Sequence, residues 1–268
     1  MHSMRLPAVV ESYLEFCAVR QRYRRTGRLE LLSDFVFPTT LLPIAAIVAT
    51  SGKKLHASNL SVQGYADWIV SAGKPPPGGT YVPFVRLPQR FESCQELLSR
   101  LDDLSSSTQL FSGNRDAYHY LVSELVDNIY QHAKASHAYV MAQFYPKRAI
   151  MEASFMDDGI TIQRSLELGT GTLYPPARAY RAVLDATRGK SAKPGGLRGF
   201  GLQSTVRIVN ALGGEALVVS GRGAILASSD GTVAAYSLGP RQGLDGTLVS
   251  LRLPESDKRV NLYPLVEG

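Results

Sequence analysis

The alternation of apolar and polar positions predicts a small α/β unit in the first third of the chain. Pro7 opens a predicted helix that extends to about Arg25, because proline is tolerated in a first helical turn. The segment FVFPTTLLPIAAIVA, residues 35–49, is typical of a short strand, a turn and a buried helix. A Pro- and Gly-rich loop over residues 73–79 precedes the strand-like TYVPFVRL. We therefore predict a first domain at residues 1–92.

A second set of predicted elements begins beyond residues 88–93. A helix is predicted around Cys94 to Leu104, and a long helix from about Asn114 to Lys134. Two strands follow, with the sequences HAYVMAQFY and AIMEASFMD, and no internal repeat occurs. The pattern predicts a second, larger α/β domain at residues 93–268.

The long predicted helix carries an acid, an amide and an imidazole in the apolar stretch ELVDNIYQHA. At about 100° per residue, Asn128 and His132 lie within about 80° of Glu124, at the border of the apolar face. Leaving such polar groups buried and unpaired costs about 1–3 kcal/mol. Either Glu124 and Asn128 satisfy each other, or they belong to a binding site. We interpret His132 as a core or supporting residue, because no other His or Cys has a compatible helical spacing.

Three later segments add polar chemistry in chain order. FMDDGITI places two aspartates and a glycine directly after a strand, where the backbone can turn sharply. KPGGLRGFGLQSTVRIVNALGG is a Gly-rich loop that leads into a helix, and free N–H groups at a helix start suit phosphate. LDGTLVSLRLP places a Gly-Thr pair at the start of a terminal strand. Each segment alone is a weak signal, so their combination and order carry the interpretation.

Together these segments resemble the GHKL family, the ATP-binding fold of DNA gyrase's ATPase subunit, Hsp90, MutL and histidine kinases. The resemblance extends from about Cys94 to Pro254. It implies an α/β (α+β) fold, a two-layer sandwich in which helices cover one face of a mixed sheet. It also implies that the domain binds ATP and Mg²⁺.

The resemblance implies a role for each matching residue. Glu124 corresponds to the catalytic base, Asn128 to a magnesium ligand, and Asp157 to the acceptor of the adenine amino hydrogen. Thr161 stands where the family usually has a second glycine, which leaves the carboxylate in place. A flexible lid is implied from about residue 163 to 198. The nucleotide-binding set consists of Asp127, Asn128, Asp157, Gly159, Lys190, Lys193, Arg198, Gly199, Gly201, Leu202 and Thr247.

Three functions follow from this interpretation. We favour a slow Mg²⁺-dependent ATPase that acts as a nucleotide-driven regulatory switch. A serine/threonine protein kinase of the anti-sigma type is the second, and a nucleotide-sensing module without turnover is the third. A sensor histidine kinase is disfavoured, because Gln131 stands where those enzymes carry Lys or Arg and no phosphoacceptor hairpin precedes the domain.

The N-terminal unit is similar to the STAS-like domains of anti-sigma antagonists. Thr39 and Thr40 lie near the phosphorylatable position of those domains, although the aspartate and glycine of their motif are absent. An ordinary strand, turn and helix explain the same segment equally well.

Charge and cysteine content add expectations about compartment and partners. The net charge is +6, and the first thirty residues hold six arginines, several of them in RQRYRRTGR, residues 20–28. We interpret this cluster as a solvated helix face, with nucleic-acid phosphates or an acidic partner as the alternative. Two cysteines without ligand spacing favour a reducing compartment, and no apolar run is long enough to span a membrane. We expect a cytoplasmic protein that binds ATP and a protein partner or a second copy, with no membrane association.

Overall fold

The computed structural model describes residues 6–70, 80–107, 114–192, 201–256 and 259–266. Within these ranges the chain is a mixed α/β structure with a seven-stranded antiparallel sheet and a separate pair of parallel strands. The helices are α1 (Ala8–Thr26), α2 (Pro38–Ser51), α3 (Leu60–Val70), α4 (Gln95–Ser107), α5 (Arg115–Asn128), α6 (Ile162–Thr170), α7 (Tyr180–Thr187), α8 (Gly201–Ala211) and α9 (Tyr263–Val266). The strands are β1 (Leu29–Leu31), β2 (Leu55–Ala57), β3 (Tyr81–Arg86), β4 (Ala138–Tyr145), β5 (Ile150–Asp157), β6 (Glu215–Gly221), β7 (Gly223–Ala227), β8 (Val233–Ser237) and β9 (Leu244–Pro254).

The large sheet has the strand order β3-β4-β5-β9-β6-β7-β8, and each neighbouring pair is antiparallel. The prediction of a mixed sheet is therefore wrong for these strands. Short turns join β4 to β5, β6 to β7 and β7 to β8, and hairpin connections of this kind produce antiparallel pairs. In the centre of the sheet, Asp157 on β5 lies opposite Thr247 on β9.

Helices cover both faces of the large sheet: α4, α5, α7 and α8, from the stretch predicted as the second domain, cover one face, and α1 and α2, from the N-terminal stretch, cover the other. On β4, Val140 and Ala142 belong to the core beneath α4, α5, α7 and α8, whereas Tyr139 and Met141 belong to the core beneath α1 and α2. Alternate strand residues point to opposite faces, so a strand buried on both faces is apolar throughout. Seven consecutive residues of β4 are buried, and all of them except Gln143 are apolar.

The strand TYVPFVRL, which we assigned to the N-terminal unit, belongs to the large sheet instead. It forms β3 and pairs with β4 at the sheet edge. The division into domains at 1–92 and 93–268 stays a prediction, although core residues from both stretches lie in one hydrophobic cluster. The Pro- and Gly-rich segment 73–79 lies outside the described residues.

The helix predictions for the N-terminal stretch are confirmed, but the short strand before α2 is not formed. Helix α1 ends at Gly27, which has a φ of 73° and donates its N–H to Tyr23. The Pro-Thr-Thr segment is the first turn of α2 rather than a separate turn, because proline fits a first helical position.

A buried polar cluster attaches α2 to the sheet. The Glu152 carboxylate on β5 is completely buried, pairs with the Arg252 guanidinium on β9, and accepts hydrogen bonds from the N–H and hydroxyl of Thr39. Thr40 is equally buried and donates its hydroxyl to the Ser12 carbonyl. The hydroxyls of Thr39 and Thr40 are thus structural donors inside the protein, which favours an ordinary structural role for this segment over a phosphorylation site.

Two structural features bear on the expectations about cysteines and membrane-spanning segments. Both cysteines, Cys17 and Cys94, are buried and unbridged. Within the part of the chain that the structure describes, no helix combines the length and the apolar character that crossing a bilayer requires.

Candidate functional site

An open cleft lies at the end of the sheet where β5 finishes and β9 begins. Its walls are the last turn of α5, helix α6, the segment after α7 and the first turn of α8. The cleft has a cavity volume of about 110 Å³ and is open to solvent at its mouth. The larger apolar side chains that line it are Leu125, Ile129, Phe155, Ile160, Ile162, Leu166, Leu202 and Val249.

Asp157 is a buried carboxyl group that lines this mostly apolar cleft. Asp157 is only 4% exposed. Its carboxylate accepts a hydrogen bond from the backbone N–H of Gly159 at 2.9 Å and another from the backbone N–H of Thr247. Burial raises the pKa of Asp157 to about 7, with a further upward contribution from Asp158, and these two hydrogen bonds oppose the rise. No Lys, Arg or His pairs with Asp157 among the described residues. The carboxyl group can therefore accept a hydrogen bond from a neutral ligand.

The turn after β5 packs tightly against the end of α5. The five residues that follow α5, Ile129–Ala133, form a widened π turn, a feature often found at functional sites. The Ala133 carbonyl accepts the N–H of Ile160 at 2.6 Å. A Cβ added to Gly159 would lie 2.0 Å from the same oxygen, so only glycine fits. Gly159 thus shapes the site by close backbone approach.

The two aspartates of the DDG turn have different surroundings. Asp158 is exposed and accepts the backbone N–H groups of Ser136 and His137 at 2.9 and 2.8 Å. These bonds attach the turn to the chain segment that enters β4. Asp158 therefore holds the turn in place, and Asp157 faces the cleft.

Thr161, which departs from the family pattern, has a structural role of its own. Its hydroxyl accepts the N–H of Arg164 and caps α6, which begins at the next residue. Ser220 on β6 supports the same region: its hydroxyl accepts the N–H of Ile162 at 2.8 Å and lies 2.9 Å from that of Thr247. Ser220 was missed in the sequence, where the only signal is a hydroxyl at the end of an apolar strand.

Glu124 and Asn128 lie beside the first residue of α8. A Cβ added to Gly201 would lie 2.6 Å from the Asn128 Nδ2 atom and 3.0 Å from the Glu124 Oε2 atom. A side chain at position 201 would require the Asn128 or Glu124 side chain to shift. The structure therefore brings the polar stretch ELVDNIYQHA next to the end of the Gly-rich segment that leads into α8.

Asn128 also carries an unsatisfied polar atom. Its buried Nδ2 has no hydrogen-bond partner within the described ranges. The Glu124 side chain, in contrast, interacts with the Tyr120 hydroxyl. A mutual hydrogen bond between Glu124 and Asn128, one of the two alternatives from the sequence, therefore does not involve the Asn128 Nδ2 atom.

Lys190 lines the opposite wall of the cleft. Its ammonium donates to the Tyr174 hydroxyl oxygen at 2.8 Å and lies 3.5 Å from an Asp185 carboxylate oxygen. The hydrogen bond with Tyr174 raises the pKa of Lys190. Tyr174 and Asp185 are two more residues missed in the sequence, because their partnership depends on how α6 and α7 pack.

The remaining predicted site residues divide into two groups. Asp127 accepts a hydrogen bond from Gln131 and is not among the described residues that line the cleft. Lys193, Arg198 and Gly199 lie outside the described residues, together with the end of the predicted lid. The earlier part of that lid contains α6 and α7, which share a small core of Leu166, Tyr174, Ala182 and Ala186.

The cleft offers few groups for a metal held by protein alone. Among the residues that the structure describes, no group of three or more His, Cys, Asp or Glu side chains could hold a metal ion. Comparison of the chain with protein-family models, with curated proteins and with solved structures finds no match.

Proposed function

We propose that the chain binds ATP with Mg²⁺ in this cleft and hydrolyses it slowly as a regulatory switch. The observation that carries the proposal is Asp157, a buried carboxyl group without a cationic partner among the described residues, which lines an apolar cleft. A flat apolar ring with an exocyclic amino group fits this combination, because the ring fills the apolar walls and the amino group donates to the carboxylate. Adenine has this chemistry.

The other end of the cleft fits phosphate groups. The described part of α8 starts at Gly201 beside Asn128 and follows the Gly-rich stretch of the sequence, and N–H groups at a helix start favour anions. Lys190 contributes a cation from the facing wall. Mg²⁺ in nucleotide sites keeps several waters and is bound largely through the substrate phosphates, and in the proposed complex the Asn128 side-chain oxygen would be a protein ligand. When bound, the ion would neutralise charge on the phosphates.

Glu124 lies in reach of the same end and is the proposed catalytic base. Its carboxylate and the Asn128 amide both contact the space next to Gly201. In the proposed step, a water oxygen bonds to the γ-phosphorus and the bond to the bridging β–γ oxygen breaks. Glu124 accepts the proton of the water, and ADP and phosphate leave.

The switch function rests on the elements around Lys190. Helices α6 and α7 form one wall of the cleft and pack on each other through a small core of their own. Leu168 and Leu173, on and just after α6, are 55% and 82% exposed. A bound triphosphate would compete with Tyr174 and Asp185 for Lys190 and so alter the position of this exposed surface, which a partner protein or a second copy could recognise.

Incubation with ATP labelled in the γ-phosphate tests the proposal. Released phosphate supports the ATPase, labelled protein would favour the anti-sigma type of kinase, and binding without either product would indicate a sensing module. We expect Glu124→Gln to lower turnover by about 100- to 10,000-fold and to leave ATP affinity within about twofold. Glu96→Gln removes an exposed carboxylate on α4 and is the matched control. Equal rates in both variants would contradict the assignment of the base.

A further inference from the structure

Four arginines converge on an open recess that shares no described lining residue with the nucleotide cleft. Arg22, Arg24 and Arg25 come from the last turns of α1, and Arg241 comes from the loop before β9. The recess has a volume of about 550 Å³ and is otherwise lined by Ala18 and Gln21. Sequence alone placed three of these cations on one helix, whereas the fold adds Arg241 from more than two hundred residues away.

The backbone around Arg241 is fixed to α1 by buried groups. Arg20 is only 7% exposed, and its guanidinium donates to the Arg241 carbonyl at 2.9 Å. The Tyr13 hydroxyl donates to the Gln242 carbonyl at 2.5 Å. The position of Arg241 beside the helix is thus built into the core contacts of α1.

The charge in the recess is unbalanced. Neither Asp nor Glu appears among the described lining residues, and Arg24, Arg25 and Arg241 form no ion pair within the described ranges. Arg22 donates to the Glu30 carbonyl at 2.8 Å, which orients it without neutralising it. Guanidinium groups stay charged at all physiological pH values, so the recess carries a permanent positive potential.

We propose that this arginine recess binds the phosphate backbone of a nucleic acid. The fork of a guanidinium matches phosphate oxygens in a bidentate manner, and here all the cations are arginines. The stretch from Ala18 to Arg25 spans about 10 Å along the helix, which is enough for two or three successive phosphates of one strand. No aromatic side chain is among the described lining residues, so bases have no stacking platform. Binding is therefore independent of base sequence and strongly dependent on salt.

Fluorescence anisotropy of the full chain with a labelled DNA duplex and a labelled single-stranded RNA, without ATP, tests the proposal. The variant Arg24→Gln/Arg25→Gln/Arg241→Gln removes three cations of the recess. The control Lys53→Gln/Lys54→Gln/Lys147→Gln removes three exposed cations elsewhere and lowers the formal charge of +6 by the same three units. We expect at least about a tenfold loss of affinity in the first variant, with a shallower salt dependence between about 50 and 200 mM. The control should stay within about twofold of the parent.

Three results would overturn the proposal. Equal losses in both variants would mean that overall charge, rather than the recess, attracts nucleic acid. Binding of polyglutamate at least as tight as that of DNA and RNA would indicate an acidic protein partner. Protection of the recess by inorganic tripolyphosphate, in a chain that binds neither DNA nor RNA, would indicate a small polyphosphate ligand. None of these outcomes depends on ATP binding in the cleft.

Discussion

Two buried carboxyl groups on strand β5, Glu152 and Asp157, lie on opposite faces of the sheet and have opposite surroundings. Glu152 meets the Arg252 guanidinium and both donors of Thr39. Asp157 has two backbone N–H donors, no cationic partner in the described residues, and a cleft in front of it. A fully paired buried charge is an anchor that holds elements together, whereas a partly satisfied one retains capacity for a ligand.

The same contrast separates the two faces of the sheet. Helices α1 and α2 seal one face with a continuous core, and the Glu152 cluster attaches α2 there. The other face is sealed by α4 and α5 but opens at the π turn that follows α5, near α6 and the described start of α8. Stability and ligand binding should therefore respond to different mutations.

Glu152→Ala should have the largest effect, because it leaves the Arg252 guanidinium buried without its partner. We expect a loss of about 3–5 kcal/mol in the free energy of unfolding, measured by urea denaturation. ATP affinity should stay within about twofold wherever the variant is folded. The double variant Glu152→Met/Arg252→Met should be more stable than Glu152→Ala, since both charges are removed. If it is not, unpaired charge is the wrong explanation for the loss.

Whereas Glu152→Ala should lower stability and leave ATP affinity unchanged, Asp157→Asn should weaken ATP binding about 100-fold or more, as measured by calorimetric titration. An amide can present its N–H₂ group to the adenine amino group, and the mismatch leaves buried donors unpaired. GTP, which carries a carbonyl in place of that amino group, should bind the parent protein poorly and respond little to the substitution. Unchanged ATP affinity would remove Asp157 from the site.

The same substitution should change how stability depends on pH. The pKa of Asp157 is about 7 in the folded protein against 3.8 for the free group. Between about pH 4 and pH 7 the Asp157 carboxyl group is therefore protonated in the folded state and ionised in the unfolded state. The free energy of unfolding consequently falls as pH rises from about 4 to about 7. Since the asparagine does not titrate, the free energy of unfolding of Asp157→Asn should rise relative to that of the parent by about 1–3 kcal/mol between pH 5 and pH 8. Urea denaturation at both pH values measures this, with the exposed Asp245→Asn on β9 as control.

Thr39→Val should have the smallest effect, about 1 kcal/mol of lost stability by urea denaturation, because Glu152 retains Arg252 and the Thr39 N–H. ATP affinity should not change. Thr50→Val, which removes an exposed hydroxyl bonded within α2, provides the control. A loss of nucleotide affinity in Thr39→Val alone would connect the two faces and contradict the separation described above.

Much of the local structure was predictable, because its signals are local. Helix α1 ends at a glycine, α5 has a continuous apolar face, and β4, β5 and β9 are rich in apolar residues. Asp157 and Gly159 were identifiable for the same reason, since an Asp-x-Gly sequence directly after a strand indicates a sharp backbone turn. The partners of Lys190 and the support from Ser220 were not predictable, because they come from elements far apart in the chain.

The sequence by itself determined which segments form helices and strands and which polar side chains interrupt apolar runs, since backbone preference and hydrophobic period act over a few residues. Only the tertiary structure decided that both faces of the sheet are covered, that β3 joins the large sheet, and that Arg241 completes the arginine recess. It also decided the different roles of Glu152 and Asp157. Each carboxyl group lies in an apolar strand, and its pairing depends on what folds against it: Arg252 and α2 in one case, and an open cleft in the other.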